Sequence, residues 1–188
     1  MKYKTIPSET NIYFVSSAVT DHFSIFVSDD IAFIPLNSLS WLRSQGVWKL
    51  YAFCLMPNHL HILVELLDSR PIEKVMGQFH SFTGHEIINL LNKKRATRFL
   101  NKLEKDGRNK GDRNFMIWED SLARCVEQEN VLVDSIDYIH NNPCNKNWHL
   151  VDDPADYRYS SACFYDRGEA PLIQVDNYLL MLDGTSSR

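Results

Sequence analysis

The chain has 188 residues, a formal net charge of −4 and hydrophobic residues at 44% of its positions. This length suits one domain with a full core, and the composition is typical of a globular chain rather than a disordered or repeat-built one. No apolar run approaches the roughly 18 to 20 residues of a membrane helix, and the N-terminus lacks the apolar segment of a signal peptide. We therefore expect a cytoplasmic protein with no membrane partner. The four cysteines form no C-x-x-C pair, which argues against a zinc knuckle.

The N-terminal part of the chain predicts a strand followed by a helix. Residues 11–19 are rich in aromatic and β-branched side chains, which favour strands. Apolar residues then recur at helical spacing over about 30–45. Pro35 either kinks this helix or delays its start, and Gly46 ends it.

An antiparallel hairpin and a second helix come next. Residues 48–56 and 59–67 are two apolar runs separated by the Pro-Asn turn at 57–58, which predicts two strands joined by a tight turn. Residues 71–91 begin with a proline, which is typical of the first turn of a helix, and continue with apolar residues at helical spacing. We expect this helix to pack on the fully apolar face of the second hairpin strand.

Two histidines stand one residue apart in that strand. Side chains alternate between the two faces of a strand, so His59 and His61 lie on one face. Two imidazoles this close can hold a divalent metal, although a His-x-His pair on its own is more often a packing or hydrogen-bonding pair. Glu65 shares their face, where we expect a solvated carboxylate rather than a partner of the metal ligands.

The segment from Lys93 to Arg113 is strongly basic, with nine basic residues against three acidic ones and a local charge of +6. Gly107 and Gly111 predict that this segment is a loop. A basic segment can follow a phosphate backbone, and a solvated loop without a partner fits the pattern equally well. The candidate DNA contacts within it are Lys93, Lys94, Arg95, Arg98 and Lys102.

The remaining elements complete a recognisable order. A fourth strand is predicted at 122–126 and a helix at 127–142, so the chain runs strand, helix, strand, strand, helix, strand. This order predicts a ferredoxin-like α+β sandwich, an antiparallel sheet with helices on one face. The other face is expected to be free and to carry the histidine pair. We expect one domain over residues 1–165, with a basic insertion at about 93–113, and a C-terminal extension over 166–188.

The helix at 127–142 divides into two stripes. Leu132, Ile136 and Ile139 form an apolar stripe, whereas Tyr138 and Asn142 lie one turn apart on its flank. If that flank borders the histidine face, a phenol and an amide oxygen reach the two imidazoles. Phenols ionise only near pH 10, so a tyrosine used as a nucleophile at neutral pH needs such help.

Three motifs carry a resemblance to a known family. They are Leu55-Met56-Pro57-Asn58-His59-Leu60-His61, Asp137-Tyr138-Ile139-His140-Asn141-Asn142-Pro143 and Asp153-Pro154-Ala155-Asp156-Tyr157-Arg158-Tyr159-Ser160-Ser161. With these motifs in this order, the chain resembles the single-tyrosine HUH transposases of insertion sequences, and most closely their REP-associated branch. The similarity covers roughly residues 10–165.

The resemblance implies a site and an activity. His59 and His61 match the histidines that bind Mg²⁺ or Mn²⁺ in this family, and Asn142 matches the third metal ligand. Tyr138 matches the nucleophile. Family members cut single-stranded DNA beside a hairpin, leave a 5′-phosphotyrosine and a free 3′-OH, and rejoin strands, so single-stranded or hairpin DNA is the implied partner. Some relatives act as homodimers and others as monomers, and both arrangements stay open.

Two other functions fit part of the pattern. A ferredoxin-like module can bind structured nucleic acid through a basic segment without any chemistry, but the combination of two histidines, a tyrosine and an asparagine argues against it. The other is a zinc hydrolase or deaminase. The deaminases use His-x-Glu together with Pro-Cys-x-x-Cys, and neither motif occurs at His59-Leu60-His61 or Pro143-Cys144. We therefore predict a metal-dependent DNA strand transferase.

Overall fold

One four-stranded antiparallel sheet organises the protein. The computed structural model describes residues 11–109, 116–119 and 121–184. The strands are β1 (Ile12–Ala18), β2 (Trp48–Met56), β3 (His59–Leu66) and β4 (Leu122–Cys125). They pair in the order β2-β3-β1-β4, which is the order of a ferredoxin-like sandwich. The predicted fold class is confirmed.

Six α-helices are formed by the described residues. They are α1 (Asp29–Ser44), α2 (Ile72–Lys93), α3 (Thr97–Asn109), α4 (Glu129–Asn141), α5 (Ala162–Arg167) and α6 (Tyr178–Gly184). Pro35 is buried inside α1 and does not delay its start. Gly46 follows that helix with a φ of +67°, a left-handed conformation that glycine adopts without strain. None of these helices is long and apolar enough to cross a membrane.

The helices α1 and α2 cover one face of the sheet. Buried side chains of these helices, such as Leu36 and Phe79, belong to the same core as Val15 of β1. The β3 residues in this core are Leu60, Ile62, Val64 and Leu66. The alternation along β3 therefore produces the apolar face on which the second helix was expected to pack.

The opposite face, which was expected to be free, is partly covered by α4. Leu132, Ile136 and Ile139 are buried there against Met56 of β2 and Leu63 of β3. An apolar stripe on a helix is stable only when it is removed from water, which is why α4 lies on the sheet rather than beside it. Because α4 packs over β2 and β3, the side of this face formed by β1 and β4 remains accessible.

A bulge in β2 explains the environment of Glu65. Leu50 pairs with Val64 and Ala52 with Leu63, so Tyr51 is an additional residue in β2. The hydroxyl of Tyr51 donates a hydrogen bond to Glu65, whose carboxylate also lies 2.9 Å from the Lys49 amine. Glu65 is only 9% exposed, so the expectation of a solvated carboxylate was wrong.

Much of the basic segment is helical rather than a loop. After α2 the chain turns at Arg95, which has a φ of +53°, and continues as α3. Leu103 is fully buried, and the ring of Phe99 lies 5.4 Å from that of Phe23. The loop prediction was wrong for residues 97–109, because these apolar residues recur at helical spacing among the basic ones. Gly111 lies outside the described residues.

The segment after α5 is attached to the sheet. Asp176 accepts two hydrogen bonds of 2.8 Å from the guanidinium of Arg43 and one of 3.0 Å from the Leu50 amide. Its own amide donates to the Leu50 carbonyl at 2.7 Å, and Ile173 and Val175 are buried beside it. The edge of β2 is therefore protected by this segment.

Candidate active site

The two histidines lie on the face of the sheet that carries α4. In the sheet register, His59 is opposite Ala18 and His61 is opposite Ser16 of β1. Their ring centroids are 4.7 Å apart. His61 is buried, with 4% of its surface exposed, and His59 is partly buried. The pair is therefore held by a central strand, which fixes its position better than a loop does.

The helix α4 brings two further predicted site residues to this pair. Tyr138 is 51% exposed, and its ring centroid lies 5.2 Å from that of His61. Asn142 directly follows α4, is buried, and places its side-chain oxygen 3.1 Å from Nε2 of His59. The four residues predicted from widely separated motifs thus lie in one cluster.

The hydrogen bonds around His59 direct two acceptor atoms towards each other. The side-chain nitrogen of Asn58 donates to the His22 carbonyl at 3.0 Å, so its oxygen faces Nδ1 of His59 at 2.6 Å. A neutral imidazole has one proton, which this arrangement places on Nδ1. The lone pair on Nε2 then faces the oxygen of Asn142, and two acceptors at this distance are stabilised by a shared positive ion.

Both imidazoles are held in the neutral form that binds metals. Burial, together with the neighbouring His59, lowers the pKa of His61 to about 3. Burial also lowers the pKa of His59; the nearby Asn142 oxygen, which would accept a hydrogen bond from the protonated ring, opposes this effect, and the neighbouring His22 adds to it. The Nδ1 atom of His61 is buried and has no hydrogen-bond partner among the described residues. The donors present therefore fit a divalent cation bound by two imidazoles and one amide oxygen.

No second candidate metal site of the usual composition competes with this one among the described residues. Within the described ranges, no group of three or more histidine, cysteine, aspartate or glutamate side chains is placed to hold a metal ion. A site of two histidines and an asparagine has only three protein donors. Such a site leaves positions open for the oxygens of a substrate.

Two aromatic residues at the site were not predicted. Phe14 of β1 stacks on His61 with centroids 5.6 Å apart and meets the edge of the Tyr138 ring at 5.9 Å. The ring centroid of Trp148, which follows α4 in the chain, lies 6.0 Å from that of His59. The alternation of side chains along β1 predicts which face of the sheet carries Phe14. Only the pairing of β1 with β3 brings the Phe14 ring to His61.

A cleft of about 490 Å³ opens beside Tyr138, between α4 and the β1–β4 side of the sheet. Tyr138 and His61 both contribute to its wall. The other lining residues are Phe14, Ser16, Leu122, Arg124, Cys125, Val126, Val131, Asp134 and Ser135. Tyr138 and His61 are therefore open to a ligand of appreciable size on this side.

The five predicted DNA contacts lie elsewhere. They are exposed at the end of α2, in the following turn and in the first part of α3, and none lines the cleft. Lys94 forms an ion pair with Asp30, and the Lys102 amine lies 3.8 Å from the carboxylate of Asp21. Lys93, Arg95 and Arg98 complete this group, which we call the basic surface (Lys93, Lys94, Arg95, Arg98 and Lys102).

Comparison with known proteins identifies the family. The family model described as "Transposase IS200 like" matches residues 26–142, well over half of the chain. The chain belongs to the IS200-like transposases. The matched range contains both histidines, Tyr138 and Asn142. Membership gives this transposase its general role, which is that of a DNA-cleaving enzyme, and confirms the resemblance drawn from the motifs.

Two solved structures are similar to this transposase. One is a REP-associated tyrosine transposase bound to a REP hairpin, with 13% identity, a TM-score of 0.59, and coverage of 94% of this chain and 90% of the other. The second is a candidate transposase from Deinococcus radiodurans R1, with 18% identity, a TM-score of 0.48, and coverage of 75% and 97%. The first likeness shows that the fold is shared across nearly the whole chain. No curated protein matches the sequence.

Proposed function

We propose that this transposase cuts and rejoins single-stranded, hairpin-bearing DNA through a covalent bond to Tyr138, with a divalent metal bound beside it. One observation carries the proposal: the half-exposed phenol of Tyr138 stands against the buried ring of His61 and one turn from Asn142. A surface tyrosine with only a packing role has no reason to stand beside three converging metal-type donors.

The chemistry of Tyr138 is a transfer of the phosphoryl group. The phenol oxygen forms a bond to phosphorus while the bond from phosphorus to the 3′ oxygen breaks. The phenol loses its proton, and the departing 3′ oxygen takes one up as a free 3′-OH. When a 3′-OH attacks the 5′-phosphotyrosine, the same changes run in reverse, so strands are rejoined without an external source of energy.

His59, His61 and Asn142 are the residues that hold the metal in this proposal. IS200-like transposases are generally metal-dependent. A bound Mg²⁺ or Mn²⁺ supplies positive charge that offsets the negative charge developing on the phosphate. The protein's part is to keep both imidazoles neutral by burial and to aim the amide oxygen at them from the end of α4.

The contact between Tyr138 and His61 occurs within one chain. This supports cleavage in which the nucleophile and the metal ligands belong to the same subunit. A homodimer stays a prediction about assembly.

The basic surface is proposed to bind the hairpin stem. Its exposed cations lie on the side of the sheet formed by α2 and α3, while the cleft lies on the side of α4. One similar structure is of a transposase bound to a REP hairpin, and a duplex stem needs a positively charged surface rather than a cleft. The unpaired strand would then lead to Tyr138.

A covalent adduct tests the proposed function. The wild-type protein is incubated with hairpin oligonucleotides that carry unpaired flanks, with Mg²⁺ or Mn²⁺, and analysed by denaturing electrophoresis. An adduct is expected for the wild type and its complete loss for Tyr138→Phe. Tyr13→Phe is the matched control, because Tyr13 packs against the α1–α2 core, and it should form the adduct normally.

Two results contradict the proposal. An adduct that persists in Tyr138→Phe would show that another residue is the nucleophile. DNA binding without an adduct, in a protein that also fails to bind Mn²⁺, would instead favour a nucleic-acid-binding module that has lost its chemistry.

A further inference from the structure

The cleft beside Tyr138 has features that metal binding and nucleophilic attack do not use. Its outer wall is β4, a strand that is paired only with β1 within the described sheet. Arg124 projects from β4 into the lining of the cleft, opposite Phe14 in the sheet register. Within the described ranges, Arg124 makes no ion pair and no side-chain hydrogen bond. A guanidinium directed to a cleft in this way is suited to an anionic ligand.

Apolar side chains form the rest of the opening. Leu122 is 49% exposed and Val131 is 40% exposed, and both line the cleft with the ring of Phe14. Exposed apolar residues gathered around one opening, rather than scattered, mark a surface that contacts a ligand. The cleft therefore combines a surface for a flat apolar group with the cation of Arg124, which are the two requirements for binding a nucleotide of a single strand.

The wall on α4 differs from the wall on β4. Asp134 is an exposed carboxylate, and the Ser135 hydroxyl donates its hydrogen to the Val131 carbonyl at 2.6 Å, leaving only acceptor positions. This wall repels a phosphate and accepts hydrogen bonds, for example from the amino group of a base. The two walls thus orient a nucleotide, with its phosphate towards β4 and its base edge towards α4.

We propose that this cleft binds the unpaired nucleotide adjacent to the scissile phosphate, and that Arg124 binds that neighbouring nucleotide's backbone phosphate. The inference rests on the proposed function, because it takes Tyr138 and His61 as the position of the cut. It adds a positioning residue and a specific substrate, an unpaired base, to that site.

The sheet geometry separates this phosphate from the scissile one. Arg124 is on β4 and His61 on β3, with β1 between them. Two strand spacings of about 4.8 Å place the two backbones roughly 10 Å apart. Arg124 therefore contacts a phosphate next to the one at the histidines. A paired base cannot enter the cleft, because it stays stacked inside its duplex.

Binding measurements with modified DNA test the inference independently of cleavage. Tyr138→Phe serves as the parent, so that no adduct forms, and the probe is a hairpin oligonucleotide with unpaired flanks. Each unpaired phosphate is replaced in turn by a neutral methylphosphonate. We expect Arg124→Ala to bind the unmodified probe roughly 10-fold more weakly than the parent. At one position, the methylphosphonate should lower the affinity of the parent for the probe by a similar factor. The same substitution should leave the affinity of Arg124→Ala unchanged.

Controls separate a local contact from a general loss of charge. Lys74→Ala removes one exposed cation from α2, on the opposite face of the sheet, and should show the parent's full response to every methylphosphonate. Arg124→Lys keeps the positive charge but lacks the planar guanidinium. Its affinity for the probe should lie between those of the parent and Arg124→Ala. Arg124 is exposed, so thermal unfolding of its variants should match that of the parent.

Three results would overturn the inference. They are an unchanged affinity in Arg124→Ala, equal effects of every methylphosphonate on both proteins, and a coupled phosphate within the stem or far from the mapped cut. If the wild type forms no adduct but the coupling between Arg124 and one phosphate is present, the proposed function fails and the nucleotide cleft stands. If the adduct forms and the coupling is absent, only the cleft assignment fails.

Discussion

The side-chain oxygen of Asn142 and Nε2 of His59 lie 3.1 Å apart, although 83 residues separate them in the chain. Both atoms are hydrogen-bond acceptors when the proton of His59 is on Nδ1, where the Asn58 oxygen receives it. The contact is therefore better suited to a shared cation than to a direct hydrogen bond. This relationship links the end of α4 to the start of β3.

Replacement of Asn142 should weaken metal binding. Asn142→Ala removes one of three donors, so the affinity for Mn²⁺, measured by the loss of the free-ion EPR signal, should fall at least about 10-fold. Asn142→Asp supplies an oxygen with a full negative charge and should bind at least as tightly as the wild type. Asn141→Ala is the matched control, because Asn141 is exposed and its side chain bonds the Asp137 carbonyl. Equal affinities in Asn142→Ala and Asn141→Ala would remove Asn142 from the site.

Stability should fall in acid through His61. Its pKa in the folded protein is about 3, against 6.5 for an ordinary histidine, so the unfolded chain binds more protons between these values. The contribution of His61 to the free energy of unfolding is therefore fully present above pH 6.5. It is lost as the pH falls towards 3, by up to about 1.4 kcal/mol per pH unit. Burial lowers the pKa of His140 to about 4, which adds a second contribution of the same sign.

Urea unfolding in metal-free buffer at several pH values measures this effect. The free energy of unfolding of His61→Asn should depend on pH less steeply below 6.5 than that of the wild type. Phe14→Leu perturbs the same cluster without removing a titrating group, and its slope should stay that of the wild type. Identical slopes in wild type and His61→Asn would show that His61 is not held neutral.

The buried pair of Tyr51 and Glu65 should contribute to stability and not to activity. Tyr51→Phe leaves the carboxylate of Glu65 without one of its two partners, at a cost of about 1 to 3 kcal/mol in the free energy of unfolding. Adding Glu65→Gln should recover part of this loss, because the amide is uncharged. Yields of covalent adduct should match the wild type at temperatures where each variant is folded. A loss of adduct without a loss of stability would give this pair a catalytic role instead.

The basic surface should matter for the stem and not for the unpaired strand. Arg98→Ala is expected to weaken binding of a hairpin oligonucleotide and to reduce the slope of log K against log salt by about 0.9 for each phosphate that Arg98 neutralises. Binding of an oligonucleotide without a stem should not change. Lys74→Ala provides the comparison for a cation outside this surface. If Arg98→Ala weakens the binding of both oligonucleotides equally, the basic surface contacts the single strand rather than the stem.

Periodicity predicted the parts of the site that lie within one element. Alternation along β3 put His59 and His61 on one face, and the stripe of α4 put Tyr138 on the flank of a buried ridge. The structure adds the position of α4 across the sheet, which depends on burying Leu132 and its neighbours against β2. That position could not be read from either element alone, because packing between elements depends on their combined shapes.

Other features were missed for identifiable reasons. In α3 the basic residues and Gly107 concealed a short apolar pattern, of which Leu103 is the most buried member. The contact of Phe14 with His61 depends on strand register, which a single strand does not encode. Tyr51 contacts Glu65 because Tyr51 is the additional residue of the bulge in β2. A bulge shifts every later strand pairing and leaves no clear pattern in the sequence.

The position of α4 in the chain has a consequence for biosynthesis. A chain emerging from the ribosome presents β3 and its histidines early, whereas Tyr138 and Asn142 follow some 80 residues later. Contacts between such distant segments form late in folding. Under the proposed function, an incomplete chain would carry the two histidines without the nucleophile, so we expect no cleavage of DNA until α4 has docked on the sheet.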